Sequence, residues 1–232
     1  MNKHTEPHSK GFNLPEIILG GQDGLVNVLG VILGVAAASS SNQLVLVAGL
    51  AATFAESISM GAVAYTSQIA EADHYQAEME REKREIEEMP SAEKAEIRAI
   101  YEKYGFKGDT LNKVVDTITS NKDVWLKVMM EQELKLEPVD RKHAIVAGII
   151  VGVSALVGSF IPLTPFFFLP TKEAVTVSLI ASASTLFVVG YYKAKKTLGR
   201  NLFKQGLEMM LIGMISAIVG YFIGSLFKVT NF

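Results

Sequence analysis

Residues 44–67 read LVLVAGLAATFAESISMGAVAYTS, twenty-four positions that carry a single charge, Glu56. A helix needs ~20 mostly apolar residues to cross the hydrocarbon of a bilayer, so this tract is long enough to span one. Four more tracts match it in length and character: Ile17–Ala38, Ala144–Leu163, Ala174–Tyr192 and Gly206–Phe227. Ser39-Ser40-Ser41-Asn42 is a tight turn that makes a hairpin of the first two. Between the third and fourth, Pro162, Pro165 and Pro170 rule out a continuous helix, and the aromatics among them suit a membrane interface. The expected fold is all-α and polytopic, with five transmembrane helices.

Outward from these tracts the charge is sharply segregated. The chain of 232 residues has 22 Lys and Arg against 24 Asp and Glu, an ordinary balance. Yet 18 of those acids and 11 of those bases lie between Glu71 and Asp140, and a soluble domain does not concentrate its charge in this way. The implied organisation is an N-terminal tail (1–14), helices one and two (15–70), a polar helical insertion (71–139) and helices three to five (140–232). The absence of cysteine excludes disulfides, thiolate metal sites and Cys nucleophiles. The opening MNKHTEPHSKGFNLPE is polar and has no signal-peptide core, so the first tract is expected to remain as a membrane helix. No basic excess points to nucleic acid.

Lys and Arg near helix ends set the orientation. Lys193, Lys195, Lys196, Arg200 and Lys204 follow the fourth tract, Arg141 and Lys142 precede the third, and Lys3 and Lys10 lie in the tail. Five spans put all of these on one side and leave Lys172 and Lys228 on the other. The N-terminus and the insertion are therefore expected in the cytosol and the C-terminus outside it or in a lumen; in a prokaryote the membrane would be the cell membrane. Gly30/Gly34, Gly148/Gly152 and the run Ser178–Ser184 repeat small residues at the spacing that lets membrane helices approach closely.

The insertion reads as helical over about 71–89, 90–104, a segment N-capped by Asp109, and 122–136, the last ended by Pro138. Its acids are phased. Glu82, Glu85, Ile86 and Met89 stand at i, i+3, i+4, i+7, and Glu93, Glu96, Ile97 and Ile100 repeat that spacing. Both sets fall on the apolar-facing sides of their helices. Glu80/Arg84, Lys83/Glu87 and Arg84/Glu88 are expected to pair along the outer face. An unpaired carboxylate on an inward stripe is costly, and carboxylates on facing helices are how helical bundles hold iron or manganese. Met129-Met130-Glu131-Gln132-Glu133 adds thioether sulfur, a softer donor that suits iron(II) or copper(I) better than magnesium. Together these residues favour a metal site.

Two acids lie at membrane depth, Asp23 in the first tract and Glu56 in the second, where a charge costs ~2.5–3.5 kcal/mol on insertion scales and marks function by default. Met60 shares a helix face with Glu56, one sulfur donor a turn from one oxygen donor. The competing reading makes Asp23 interfacial and satisfies Glu56 with a neighbouring Ser. Glu208, beside Met209 and Met210, is a weaker candidate near the end of the fifth helix. His4, His8, His74 and His143 are scattered and form no site.

Asp23-Gly24, Ser57-Ile58-Ser59-Met60, Asp73-His74-Tyr75, the Glu-rich insertion and Met129-Met130-x-x-Glu133, in this order, resemble the vacuolar iron transporter family over essentially the whole chain after residue 14. The resemblance implies a homodimer with its path between the two first helices, and proton-coupled export of iron(II). It also implies a cytosolic metal-binding domain that feeds the pore. The translocation residues would fall on Asp23 and Met60, and the cytosolic ligands on Glu82, Glu85, Glu93, Glu96, Met129 and Glu133. Two positions depart from the family pattern. A pore glutamate eight residues before the Met corresponds to Ala52, with Glu56 one turn further along, and a glutamate after the first Met appears as Met130, with Glu131 beside it.

The leading expectation is thus a metal/proton antiporter for Fe²⁺, or Mn²⁺, Co²⁺ or Zn²⁺, with the metal as cargo and no prosthetic group. One alternative is a membrane-tethered di-iron ferroxidase. Such sites usually carry Glu-x-x-His, and no His falls near Glu82–Glu96. The other is a metal-sensing membrane adaptor, which would need no acid in the spans.

Overall fold

The computed structural model describes residues 14–39, 41–197 and 199–227 and is helical throughout its regular structure. Among the described residues, five helices are long and apolar enough to cross a membrane. They are α1 (Leu14–Ala38), α2 (Asn42–Glu88), α6 (Arg141–Leu163, continued by a 3₁₀ turn over Thr164–Phe167), α7 (Thr171–Thr197) and α8 (Leu202–Leu226). Between the second and third lie α3 (Pro90–Lys103), α4 (Gly108–Thr119) and α5 (Lys122–Val128), the last prolonged by a π-helical turn, Met129–Glu133. His4, His8, Lys3, Lys10 and Lys228 lie outside the described residues.

The chain divides into two compact units, residues 66–144 and the remainder. In the larger, Val28, Leu29, Ile32 and Leu33 of α1 pack with Val45, Leu163, Phe166, Ala174 and Ala217. Small residues set how closely its helices approach. A Cβ on Gly61 or Gly148 would come within 2.9 Å of the other's carbonyl oxygen, and one on Gly30 would meet the Ser216 hydroxyl at 3.0 Å. Both glycine pairs picked out by spacing therefore mark real helix crossings. Large apolar side chains such as Ile58 (72% exposed), Phe168 (80%) and Ile218 (66%) point outward from this unit. That is the surface expected of helices solvated by lipid, and the protein is a multi-pass integral membrane protein.

Local structure departs from the sequence reading in several places. No break separates a second membrane helix from an insertion helix, because α2 runs unbroken for 47 residues. Residues 66–76 hold no Gly or Pro to stop it, and Ala, Glu and Gln favour continuation. Asp109 is not an N-cap. α4 starts at Gly108, and Asp109 sits in the first turn, where its charge suits the positive end of the helix. Pro138 does not end the last insertion helix. α5 gives way to the π turn at Met129, and the chain leaves it through Lys135 at φ 56°. Asn121 caps α5, its side chain accepting from the backbone of Asp123 and Val124.

The smaller unit has its own core of Ile86, Ile97, Leu111, Val115, Ile118, Trp125 and Met129. Each comes from the apolar face of its helix. Arg141 also pairs with Asp73 within this unit.

Candidate functional site

The phased glutamates of the insertion lie against this core. Glu82 and Ile86 on α2 are 2% and 4% exposed, and Glu93 and Ile97 on α3 are 4% and 0%. The predicted face is only partly inward, however. Met89, the last residue before α3, is half exposed, and Glu96 turns toward solvent. The outer residues Glu80, Lys83, Arg84, Glu87 and Glu88 are all exposed. Their partners are not the expected ones: Lys122 Nζ pairs with Glu87 at 3.0 Å, and Gln76 donates to Glu80 at 2.9 Å. Lys122 reaches Glu87 from a neighbouring helix, which i,i+4 spacing could not foresee.

Oε2 of Glu82 and Oε2 of Glu93 are buried and have no hydrogen-bond partner. Such atoms are costly in a protein interior unless they keep a proton or meet a cation. Burial, and then the charges of Glu96, Glu82 and Glu85, push the Glu93 carboxyl up to about 7. Burial and the charge of Glu85 raise Glu82, while Arg81 pulls the other way. Glu133 is likewise raised to about 7 by desolvation of its carboxyl and by the charge and hydrogen bond of Glu96. Glu82, Glu85, Glu93, Glu96 and Glu133 thus form one electrostatic cluster. Like charges this close favour retained protons or a bound cation.

Among the described residues no three Asp, Glu or His side chains converge tightly enough to hold a metal as they stand. What sits among the acids instead is the guanidinium of Arg81, 3.7 Å from both Glu82 and Glu85. The π turn, a feature frequent at functional sites, buries both neighbouring methionines. Met129 packs in the apolar core, which by itself accounts for its burial, and Met130 is 2% exposed. Glu131 points away to solvent, with Lys127 3.7 Å off.

In the larger unit, Asp23 of α1 and Glu56 of α2 are both half-buried and near enough to act on each other's charge. Asn27, one turn along α1, donates from Nδ2 to Asp23 Oδ2 at 3.2 Å. The nearest serine does not satisfy Glu56, for Ser57 donates its hydroxyl to the Thr53 carbonyl at 2.6 Å. Met60 lies half-buried a turn beyond Glu56, and Ala52, a turn before it, packs against the apolar cluster around Ile32. Glu208 is exposed and lines a separate cavity of about 150 Å³ with Gln22, Lys193 and Gln205.

Sequence reasoning passed over three residues. Arg81 carries the signal of a base four residues before Glu85, but the same run of charges offered Arg84 and Lys83 for the outer pairs. Asn27 stands at i+4 from Asp23, a spacing that permits the observed bond. Glu16, in the first turn of α1, has a buried Oε2 without a partner, and no pattern in the sequence distinguishes it from an interfacial charge.

The VIT family matches residues 14–225. Vacuolar iron transporter 1 of Oryza sativa subsp. japonica is 36% identical over 220 residues, covering 94% of this chain and 87% of its own length. Vacuolar iron transporter 1 of Arabidopsis thaliana is 34% identical over 223 residues, covering 95% and 89%. The vacuolar iron transporter of Plasmodium falciparum is 34% identical over 239 residues, covering 98% and 87%.

Proposed function

The chain belongs to the VIT family, transporters rather than enzymes, and from that premise we propose that it exports ferrous iron from the cytosol in exchange for protons. The ferroxidase alternative falls with the family. The observation that carries the proposal is the Asp23–Glu56 pair, two half-buried carboxyl groups that different spans bring together. Two carboxylates held together away from water repel, so the pair favours either a retained proton or a bound cation. A dication that takes both oxygens must release that proton, and the proton's return must release the metal, which is the simplest coupling available. Met60 supplies sulfur a turn away, where iron(II) or another borderline divalent ion is favoured over magnesium.

Glu82, Glu85, Glu93, Glu96 and Glu133, with Met130 and Met129, form the cytosolic collecting site in this reading. Mn²⁺, Co²⁺ and Zn²⁺ are further cargoes of the same donor set. A homodimer, with the path between its two α1 helices, completes the reading and rests on the family resemblance.

The test is reconstitution of the whole protein into liposomes that hold metal and pH indicators. Wild type is expected to move protons against Fe²⁺, and Glu56→Gln to abolish that flux while leaving metal binding by the insertion intact. Gln keeps the shape and the hydrogen-bonding capacity but cannot titrate. A Glu56→Gln protein that transports at the wild-type rate would remove Glu56 from the mechanism.

A further inference from the structure

Glu78, Arg81, Glu82 and Glu85 stand at i, i+3, i+4 and i+7 on α2, so one helix face presents three acids around one base. Arg81 Nη1 lies 2.9 Å from Glu78 Oε2, a hydrogen-bonded ion pair. Its Nη2 and Nε stand 3.7 Å from Glu82 Oε1 and Glu85 Oε2, close enough for attraction but beyond hydrogen-bond distance. The Arg81 side chain is 46% exposed and the Glu82 side chain only 3%. The guanidinium therefore covers the solvent side of a carboxylate whose other oxygen is buried and unpartnered.

We propose that Arg81 is a built-in competitor for the metal, and that Glu78 is the perch onto which it withdraws when a divalent ion takes Glu82 and Glu85. This rests on the reading of those glutamates as metal ligands. A guanidinium and a dication repel, so both cannot stay against the same two carboxylates. Arg cannot lose its charge at any working pH, so only movement relieves the conflict. The geometry makes that movement small. The contact with Glu78 is already formed, and only the two long contacts have to open. Metal bound against a tethered cation is bound less tightly, which suits a site that must release its cargo.

The competing account is an ordinary surface ion pair, which would be indifferent to metal. Titration of the full-length protein in detergent with Mn²⁺, followed by the free-ion resonance signal, separates the two. Arg81→Gln is expected to tighten Mn²⁺ binding roughly three- to tenfold, the order expected for removing one nearby unit charge. Glu78→Gln is expected to weaken it roughly two- to fivefold, because the guanidinium then has no other partner than the ligands. In the double variant the effect of Glu78→Gln should vanish, since the perch matters only while Arg81 is present. Unchanged far-ultraviolet dichroism and Trp125 emission would show that each variant is folded, and Arg81→Lys, which keeps the charge, serves as a second probe expected to stay within about twofold of wild type.

Unaltered or weaker binding by Arg81→Gln would overturn the proposal. So would a Glu78 effect that persists at full size without Arg81, since Glu78 would then be acting as a ligand or a plain charge. Glu93→Gln tells the two levels apart. If it lowers Mn²⁺ binding while Arg81→Gln changes nothing, the competitor idea fails and the metal site stands. If wild type and Glu93→Gln alike bind no Mn²⁺, both fail.

Discussion

Changing Glu93 to Gln is expected to make the metal-free insertion more stable at alkaline pH while depriving it of metal. Burial and three neighbouring glutamates hold the Glu93 carboxyl at about 7 rather than 4.5. That difference raises the ionised form by about 3 kcal/mol. Glu93 is only 4% exposed, so solvent offers little screening, but its neighbours titrate with it and about 2–3 kcal/mol is the sensible expectation. The sign follows from proton linkage. The folded chain holds this proton more tightly than the unfolded chain does, so the contribution to stability is complete below pH 4.5 and is lost as the pH rises through 7.

Gln suffers no such loss. Wild type and Glu93→Gln should therefore be nearly equal near pH 4.5, and the variant should be ahead by about 2–3 kcal/mol at pH 8. Metal should reverse the order, because a ligand at 1,000 times its Kd stabilises the state that binds it by about 4.1 kcal/mol. Trp125 is the chain's one tryptophan and lies 6% exposed in the insertion's core. Urea titration of the full-length protein in detergent, followed by its emission, thus reports this unit alone. A variant no more stable than wild type at pH 8 without metal, or one whose gain is equally large at pH 5, would refute the electrostatic account.

Other outcomes follow from the same geometry. Mn²⁺ affinity measured by calorimetry should fall as the pH drops from about 7.5 to 5.5, since Glu93 and Glu133 regain protons near 7 and each bound proton competes with metal. Glu82→Ala with Glu96→Ala should lower the number of Mn²⁺ ions bound by the full-length protein, whereas Glu80→Ala with Glu88→Ala should leave it unchanged; equal losses would mean that acidity alone attracts the ion. Single cysteines at Lys196 and Glu88 should react with an impermeant reagent from one side of the membrane, and one at Thr171 only from the other. Labelling of the Lys196 and Thr171 positions from the same side would overturn the five-span orientation.

The five spans were legible because the bilayer imposes one strong condition, a long apolar run, and each tract meets it whatever its neighbours do. Glu82 and Glu93 could be placed inward because Ile86 and Ile97 fix the phase of their helices. Glu96 and Met89 could not. Their position depends on how α3 leaves α2 at Pro90, a tertiary matter that a 3.6-residue period does not encode. The π turn at Met129 was invisible for the same reason, since nothing in MMEQE distinguishes a wider turn from an α-helical one. The unbroken α2 is hard to see in the sequence because a change from apolar to charged residues resembles a boundary. Polarity decides what surrounds a helix, whereas Gly, Pro and caps decide where it stops.

The place of Arg81 is hidden in the sequence for a more instructive reason. Rules for i,i+4 pairs favour Glu80/Arg84, with the acid first, over Arg81/Glu85, and burial overrides that preference. Glu80 and Arg84 both face water, where an ion pair gains little and either side chain loses entropy by committing to it. Arg81 stands beside Glu82, whose buried carboxylate has given up most of its water and gains more from a nearby cation. The guanidinium is bonded to Glu78 and stays within 3.7 Å of Glu82 and Glu85, close to that unmet charge. A divalent ion would be drawn to the same place by the same field, and more strongly. On the proposed reading, the residue that eases the repulsion of the metal-free cluster is also the one whose contacts an incoming ion would have to break.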